Sequence, residues 1–479
     1  MAAQLTAPTE ERAAPGLLAL AGVLILGLTA PLLDSTIVNV ALRTLGRDLH
    51  VPVSTIQWVS TGYLLAMAMA VPITGWASER FGTRRVWITA LALFTLGSVL
   101  SGLAWNADAL IAFRVLQGTG TGLLMPIMMT MLLTSTGGRT DGMGRVMALV
   151  SLPMLLGPVF GPVIGGLIVD HLSWRWIFYV NPPICLLAIA LAWRMLPRAG
   201  THQAPRLDLV GLLLLSPALA ALIYGLTQFG NSGGVGHPQV LVPAGIGVVG
   251  LAVFAGHALR CPNPLVDLRL FRVRSFTASA VLLFLAGLSS FGAMLLLPLY
   301  YQELRGESVV VAGLLMAPQG LGIALSRVAG GLLDRVGARP IILVGSGLLA
   351  AGTLPFGFAD QDTSAWLLMA ALVVRGTGLG AVTVAVMLEA YTDLRREQVP
   401  HASSATRIMQ QLGGSFGTAV LAVILQRQLA AHPGGGGQVL AFQHTFWWAL
   451  VFTLVSIVPA LLVPGRRRQP ATEPAALRQ

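Results

Sequence analysis

The chain has 479 residues, of which 55% are hydrophobic and 10% charged, and its mean hydropathy is +0.76. A soluble protein averages about 25% charged residues and needs them to cover its surface, so an ordinary soluble enzyme is excluded, as is a disordered chain. The formal charge of +11 is carried by 30 Arg and no Lys. Without Lys there is no Walker A loop for a nucleotide phosphate and no Schiff-base chemistry. The Arg residues cluster between apolar runs, which points to membrane topology and not to nucleic acid.

A bilayer core about 30 Å thick takes roughly 20 apolar residues as a helix. Fourteen such runs are predicted, near residues 16–42, 53–76, 86–104, 108–133, 144–169, 176–195, 208–228, 239–259, 276–301, 309–333, 340–358, 364–388, 404–430 and 441–463. With the N-terminus placed in the cytoplasm, 21 Arg fall on the inner side and 5 on the outer side, with Arg114, Arg327, Arg375 and Arg407 inside spans. That bias sets both termini inside. No cleaved leader is expected, because no basic segment precedes a short apolar run and a small-residue cleavage site.

Span one carries Leu33-Asp34-Ser35-Thr36 and on to Asn39. An Asp at the centre of a span costs about 2.5–3.5 kcal/mol on insertion scales. One reading is a carboxyl satisfied by the hydroxyls of Ser35 and Thr36. The functional reading is a proton carrier, since a desolvated carboxyl holds its proton more readily and water access from either side decides when it loads and unloads.

Span two offers Gln57, Trp58 and Tyr63, and is followed by Gly75, Glu79, Arg80, Gly82 and Arg84. After span ten the same pattern returns as Gly330, Asp334, Arg335, Gly337 and Arg339, 255 residues later. These loops are candidate cytoplasmic gates, with Glu79 and Asp334 expected to pair with neighbouring Arg or to sit at a helix N-terminus. Span four carries Arg114, Gln117, Gly118 and Gly120, echoed in span twelve by Arg375, Gly376 and Gly378. A buried Arg needs carboxylate, carbonyl or water partners, and Gln117, one turn on, is a candidate. Arg375 lacks the Gln and is expected to be mainly structural. The repeat makes spans 1–6 and 9–14 parallel copies, with spans seven and eight an insert.

Residues 157–166 place Gly157, Pro158, Gly161, Pro162, Gly165 and Gly166 in one span. The prolines remove backbone hydrogen bonds and the glycines allow close helix approach, which suits a hinge or tight gate. Ser173-Trp174-Arg175-Trp176 through Asn181-Pro182 opens span six. Met125, Tyr301, Gln302 and Gln319 join Gln57, Trp58 and Tyr63 as candidate cavity residues, Met for its adaptable apolar surface.

Taken in order, these motifs resemble the major facilitator superfamily, and within it the 14-span drug:proton antiporter branch (EmrB/QacA type). The resemblance implies an all-α polytopic membrane protein with 14 transmembrane helices arranged 6+2+6, its two six-helix bundles enclosing a central cavity. The expected divisions are an N-terminal tail 1–15, a bundle 16–195, an insert 196–275, a bundle 276–463 and a basic tail 464–479. The implied function is proton-coupled export of small amphipathic compounds such as drugs, dyes or secondary metabolites, with Asp34 and Arg114 coupling proton movement to it. The 157–166 run marks exporters in that branch. The expected location is the bacterial inner membrane, with protons, substrate and membrane lipid as partners. A lipid or lipid-conjugate translocator on the same fold, or a non-transporting receptor, would also fit the span pattern. No cofactor, nucleotide or nucleic acid is expected. The two cysteines make no CxxC, and the eight His show no metal-ligand spacing, so no metal site is expected.

Overall fold

The computed structural model describes residues 15–51, 53–56, 58–135, 161, 164–169, 171–196, 207–232, 237–326, 336–395, 398–432 and 435–463. Within them, twelve helices are long and apolar enough to cross a membrane. They include α1 (Pro15–Asp48), α2 (Trp58–Phe81), α3 (Thr83–Gly102), α4 (Ala107–Ser135), α5 (Trp176–Met195), α6 (Leu209–Ser232), α7 (Pro238–Arg260) and α8 (Arg274–Leu304). Two short helices follow, α9 (Val309–Met316) and α10 (Pro318–Leu325). The chain continues through α11 (Ala338–Gly357), α12 (Ala365–Thr392), α13 (Val399–Ala431) and α14 (Gly436–Leu462). The protein is thus a multi-pass, all-helical membrane protein. Of the two remaining predicted spans, 144–169 lies mostly outside the described residues. Span 309–333 is described up to residue 326, as α9 and α10.

The repeat seen in the sequence governs the packing. Helix α3 packs on α4 as α11 packs on α12, and α2 packs on α4 as α10 packs on α12. Glycine makes these approaches possible, because a Cβ on Gly118 would lie 2.3 Å from the Tyr63 carbonyl oxygen, and one on Gly376 would lie 1.9 Å from that of Gln319. Such small-residue seams bring membrane helices into van der Waals contact where no hydrophobic effect drives them together.

The two turns after α2 and before α11 also match. Gly82 has φ 80° and ψ 141°, and Gly337 has φ 83° and ψ 170°. Only glycine occupies that region without strain. Gly82→Ala is therefore expected to destabilise the protein by about 1–3 kcal/mol, read as a lower melting temperature of the detergent-purified protein.

The insert helices α6 and α7 pack on each other. Helix α6 also touches α2 and α13, so it covers a seam between the two halves. On α7, Leu241, Val242, Ile246, Val249 and Val253 are all exposed. A continuous apolar face of this kind fits lipid, not water.

Candidate functional site

Asp34 has no solvent exposure and is the only fully buried acid among the described residues. It sits three residues after Pro31, whose missing N–H weakens α1 locally. Its carboxylate is held by three side chains from two other helices. Arg114 of α4 donates from Nη1 to Oδ2 at 2.5 Å. Gln117, also on α4, donates from Nε2 to Oδ1 at 3.0 Å. Asn181, near the start of α5, donates from Nδ2 to the same Oδ1 at 3.0 Å. Asn181 is in turn 3.0 Å from the Ser98 hydroxyl of α3, which donates to the Phe178 carbonyl at 2.8 Å.

Arg114 is itself 1% exposed. It donates from Nε to the Val59 carbonyl at 3.2 Å and from Nη1 to Gln117 Oε1 at 2.8 Å. Its guanidinium carbon lies 4.1 Å from the centre of the Tyr63 ring, a cation–π contact. Tyr63 is held by a hydrogen bond from its hydroxyl to Thr121, at 3.0 Å. A buried ion pair is stable only when good geometry and further hydrogen bonds offset desolvation. Here both charges have several fixed partners, and Arg114 keeps three of its contacts even when Asp34 is neutral.

The C-terminal half carries the same constellation without the carboxylate. Ser289, 255 residues after Asp34, occupies the matching place on α8. Arg375 of α12 is 2% exposed and donates to the Ser289 carbonyl at 3.2 Å and to the Thr353 hydroxyl at 3.3 Å. Thr353 stands 255 residues after Ser98, and Ser289 Oγ lies 3.2 Å from Thr453 of α14. One Nη of Arg375 finds no acceptor among the described residues. Among the described residues, the duplicated arginine constellation therefore carries a carboxylate only in the first half.

Two of the three glycines of the 157–166 run that fall within the described residues, Gly161 and Gly165, press on the turn that follows Asp34. A Cβ on Gly161 would lie 1.9 Å from Thr36 Oγ1, and one on Gly165 would lie 3.2 Å from Ile37. A Cβ on Gly166 would meet nothing within 4 Å. Gly157, Pro158 and Pro162 lie outside the described residues. The second half repeats this seam, with Gly413 and Gly417 of α13 against the carbonyls of Phe284 and Leu288 on α8.

The halves meet at the end where α2 and α4 finish and α13 begins. Glu79 Oε1 is 3.2 Å from His401 Nε2, and Thr130 Oγ1 is 3.0 Å from Ser403 Oγ. Val384 and Leu388 of α12 enter the core formed by α1, α3 and α4. This corrects the expectation for Glu79. It lies in the last turn of α2, and the structure gives it a histidine of the opposite half as partner. Arg80 is exposed. Arg84 donates to the Trp193 carbonyl and stacks over that indole at 5.2 Å, so it ties α3 to α5 and does not pair with Glu79. A Cβ on Gly75 would lie 3.4 Å from Pro400 and His401. Arg339 is half-buried, and Asp334 and Arg335 lie outside the described residues.

The expected cavity residues are not gathered into one wall. Trp58 is 40% exposed and stacks on Tyr224 of α6 at 5.4 Å, which puts it on the seam with the insert. Tyr63 belongs to the Arg114 cage. Met125 packs at the edge of the first half's core. Tyr301 is fully buried in the second half's core, beside Tyr300 and the cluster that holds Phe356, Phe442 and Phe446. Gln302 and Gln319 are half-buried, and Gln57 lies outside the described residues. Asn181, Ser98 and His401 were not singled out by the sequence. Asn181 did stand in the Trp174–Pro182 motif, but nothing in the spacing assigns its amide to Asp34.

The two halves repeat one apolar helical packing, and the first holds a buried carboxylate–guanidinium pair. A family model for the Major Facilitator Superfamily matches residues 24–418, and the chain belongs to that superfamily. Together with the family match, the repeated packing and the buried pair make the chain a membrane transport protein. The multidrug resistance protein B homolog of Mycobacterium tuberculosis is 40% identical over 422 residues, covering 87% of this chain and 78% of that protein. The multidrug export protein EmrB of Haemophilus influenzae is 31% identical over 406 residues, covering 84% and 79%. The solved structure of the human organic anion transporter MFSD10 has the same fold, with a TM-score of 0.64 at 16% identity over 92% of this chain and 100% of that one.

Proposed function

We propose that this transporter exports small amphipathic compounds, drugs or dyes among them, in exchange for protons by alternating access. The observation that carries this reading is Asp34, buried in α1 and bound at 2.5 Å to Arg114. A proton arriving on Asp34 cancels the ion pair. Arg114 then falls back on Gln117 Oε1, the Val59 carbonyl and the Tyr63 ring. The link between α1 and α4 is loosened, and the guanidinium, still charged, is left on neutral acceptors, a less stable arrangement that favours movement of the helices. Because Gly161 and Gly165 press on Thr36 and Ile37, the same event is felt by the antiporter-run helix. One pH unit supplies about 1.4 kcal/mol per proton, enough for useful accumulation with one or two protons.

The proposed architecture is fourteen spans as 6+2+6, in the bacterial inner membrane with both termini in the cytoplasm. The bundles are 16–195 and 276–463, the insert 196–275, and the tails 1–15 and 464–479. In that orientation the Glu79–His401 and Thr130–Ser403 contacts close the cytoplasmic side, and Gly75 and Gly82 shape the gate. Replacing Thr130 and Ser403 by cysteine, in a background with Cys185 and Cys261 changed to serine, is expected to allow a disulfide across the halves. Oxidation should then drop transport to the level of empty vesicles, and a reductant should restore it.

The test of the reading is transport in everted vesicles. An acidic lumen should drive dye inward against its gradient, and a protonophore should abolish the accumulation. Accumulation that follows membrane potential alone and ignores the pH gradient would overturn the proton assignment.

A further inference from the structure

Three donor side chains meet on the insert, at the same end of the molecule as the Glu79–His401 contact. Asp208 stands just before α6. His257 and Cys261 lie four residues apart at the end of α7, hence on one helix face. A carboxylate oxygen, an imidazole nitrogen and the Cys261 Sγ all lie within 4.8 Å of one another, with Asp208 Oδ1 to His257 Nε2 at 2.8 Å. The Asp208 side chain is 5% exposed and is aimed by two backbone N–H groups, from Gly211 to Oδ1 at 2.8 Å and from Leu265 to Oδ2 at 3.2 Å.

We propose that Asp208, His257 and Cys261 form a binding site for one borderline-soft divalent metal ion, of which Zn²⁺ is the representative. The donor set decides the class. A thiolate with an imidazole selects Zn²⁺-like ions over Mg²⁺ and Ca²⁺, which prefer all-oxygen sites. Tetrahedral bonds of about 2.0–2.3 Å place donors roughly 3.3–3.7 Å apart. The Asp208–His257 contact must open and Cys261 must close by under about 1.5 Å each, within the reach of side-chain rotation. The backbone donors to Asp208 are the outer-shell support that metal-ligating carboxylates have elsewhere. Access is available, because a groove lined by Val210, Leu214, Val253, His257 and Cys261 borders the site.

The site is also wired to the gate. Leu265 donates its N–H to Asp208, and its carbonyl lies 3.1 Å from His401 Nδ1, the histidine that meets Glu79. A cavity of about 230 Å³ lined by Trp76, Glu79, Asp208, Leu265 and His401 separates the two. A metal ion would fasten the loop 261–267 to both insert helices beneath the contact between the halves. The metal site stands on its own donors and does not depend on the transport reading.

The experiment uses the purified full chain and the metals alone. Zn²⁺ binding is measured by competition with a chromophoric chelator, and Co²⁺ binding by the thiolate-to-metal charge-transfer band. One equivalent should bind, with the band present. Cys261→Ser should remove the band and weaken Zn²⁺ by at least about tenfold, His257→Gln should weaken it similarly, and Cys185→Ser should change neither. Size-exclusion profiles matching the parent protein would show that the variants fold. A missing Co²⁺–thiolate band, or Zn²⁺ affinity unchanged by Cys261→Ser, would leave only an Asp208–His257 hydrogen bond and overturn the proposal.

Discussion

Arg114→Ala is expected to abolish proton-driven accumulation and to lower stability by about 3–5 kcal/mol, the cost of stranding one member of a buried ion pair. The reason lies in what remains. Asp34 keeps the amides of Gln117 and Asn181, but two neutral donors do not balance a carboxylate with no solvent exposure. Without the guanidinium no ion pair forms or breaks between α1 and α4, and the link through which a proton on Asp34 would act on the helices is lost. The Tyr63 ring and the Val59 carbonyl, both now facing a cavity, add a packing loss. Arg114→Lys should recover part of the stability and little of the transport, because a point ammonium cannot serve Asp34, Gln117 and Val59 together. The same change at Arg375 should leave proton coupling intact, since no carboxylate faces it among the described residues. Thermal melts and pH-driven dye uptake on the two pairs of variants read the difference.

The second large effect is expected at Gly161. An alanine methyl there would lie 1.9 Å from Thr36 Oγ1 and 2.7 Å from Thr36 Cβ, so the turn that follows Asp34 must move. Overpacking of this kind costs about 1–3 kcal/mol, and the displacement falls two residues from Asp34. Gly161→Ala should therefore cut pH-driven export by tenfold or more while leaving the protein folded. Thr36→Gly in the same chain removes the opposing atoms and should return part of the activity. Gly166→Ala, where a Cβ meets nothing within 4 Å, is the matched control and should be close to neutral. Initial rates of dye uptake in everted vesicles measure all three.

The legible features were those that one chain segment carries alone. Apolar runs placed each of the twelve described spans within a few residues, because a helix in lipid must satisfy its own backbone. The 255-residue repeat foretold both the paired Gly82 and Gly337 turns and the matching helix contacts. Asp34 stood out because an acid in a span is costly, and Arg114 with Gln117 because they are one turn apart on one helix. Features that need two distant segments stayed hidden. Nothing at position 181 says that its amide reaches Asp34, 147 residues earlier. Glu79 was matched to nearby Arg by sequence distance, whereas the fold delivers His401. The aromatic candidates failed for a related reason. Trp58, Tyr63 and Tyr301 are polar-tipped and lie in spans, but one faces the insert, one shields Arg114, and one fills a core. The Asp208–His257–Cys261 group shows no spacing signal, because Asp208 comes 49 residues before His257.

The account stands on Asp34 as the group whose protonation drives export, and Asp34→Asn tests it most directly. Asparagine keeps the shape of the side chain and an acceptor for Gln117 and Asn181, but its amide cannot take up and give up a proton as a carboxyl does. The measurement is paired dye and proton flux in proteoliposomes under an imposed pH gradient, parent protein against Asp34→Asn. The expected result is that the variant still lets dye equilibrate down its own gradient, with neither uphill accumulation nor substrate-dependent proton movement. Full pH-driven accumulation by Asp34→Asn, with its accompanying proton flux, would contradict the account.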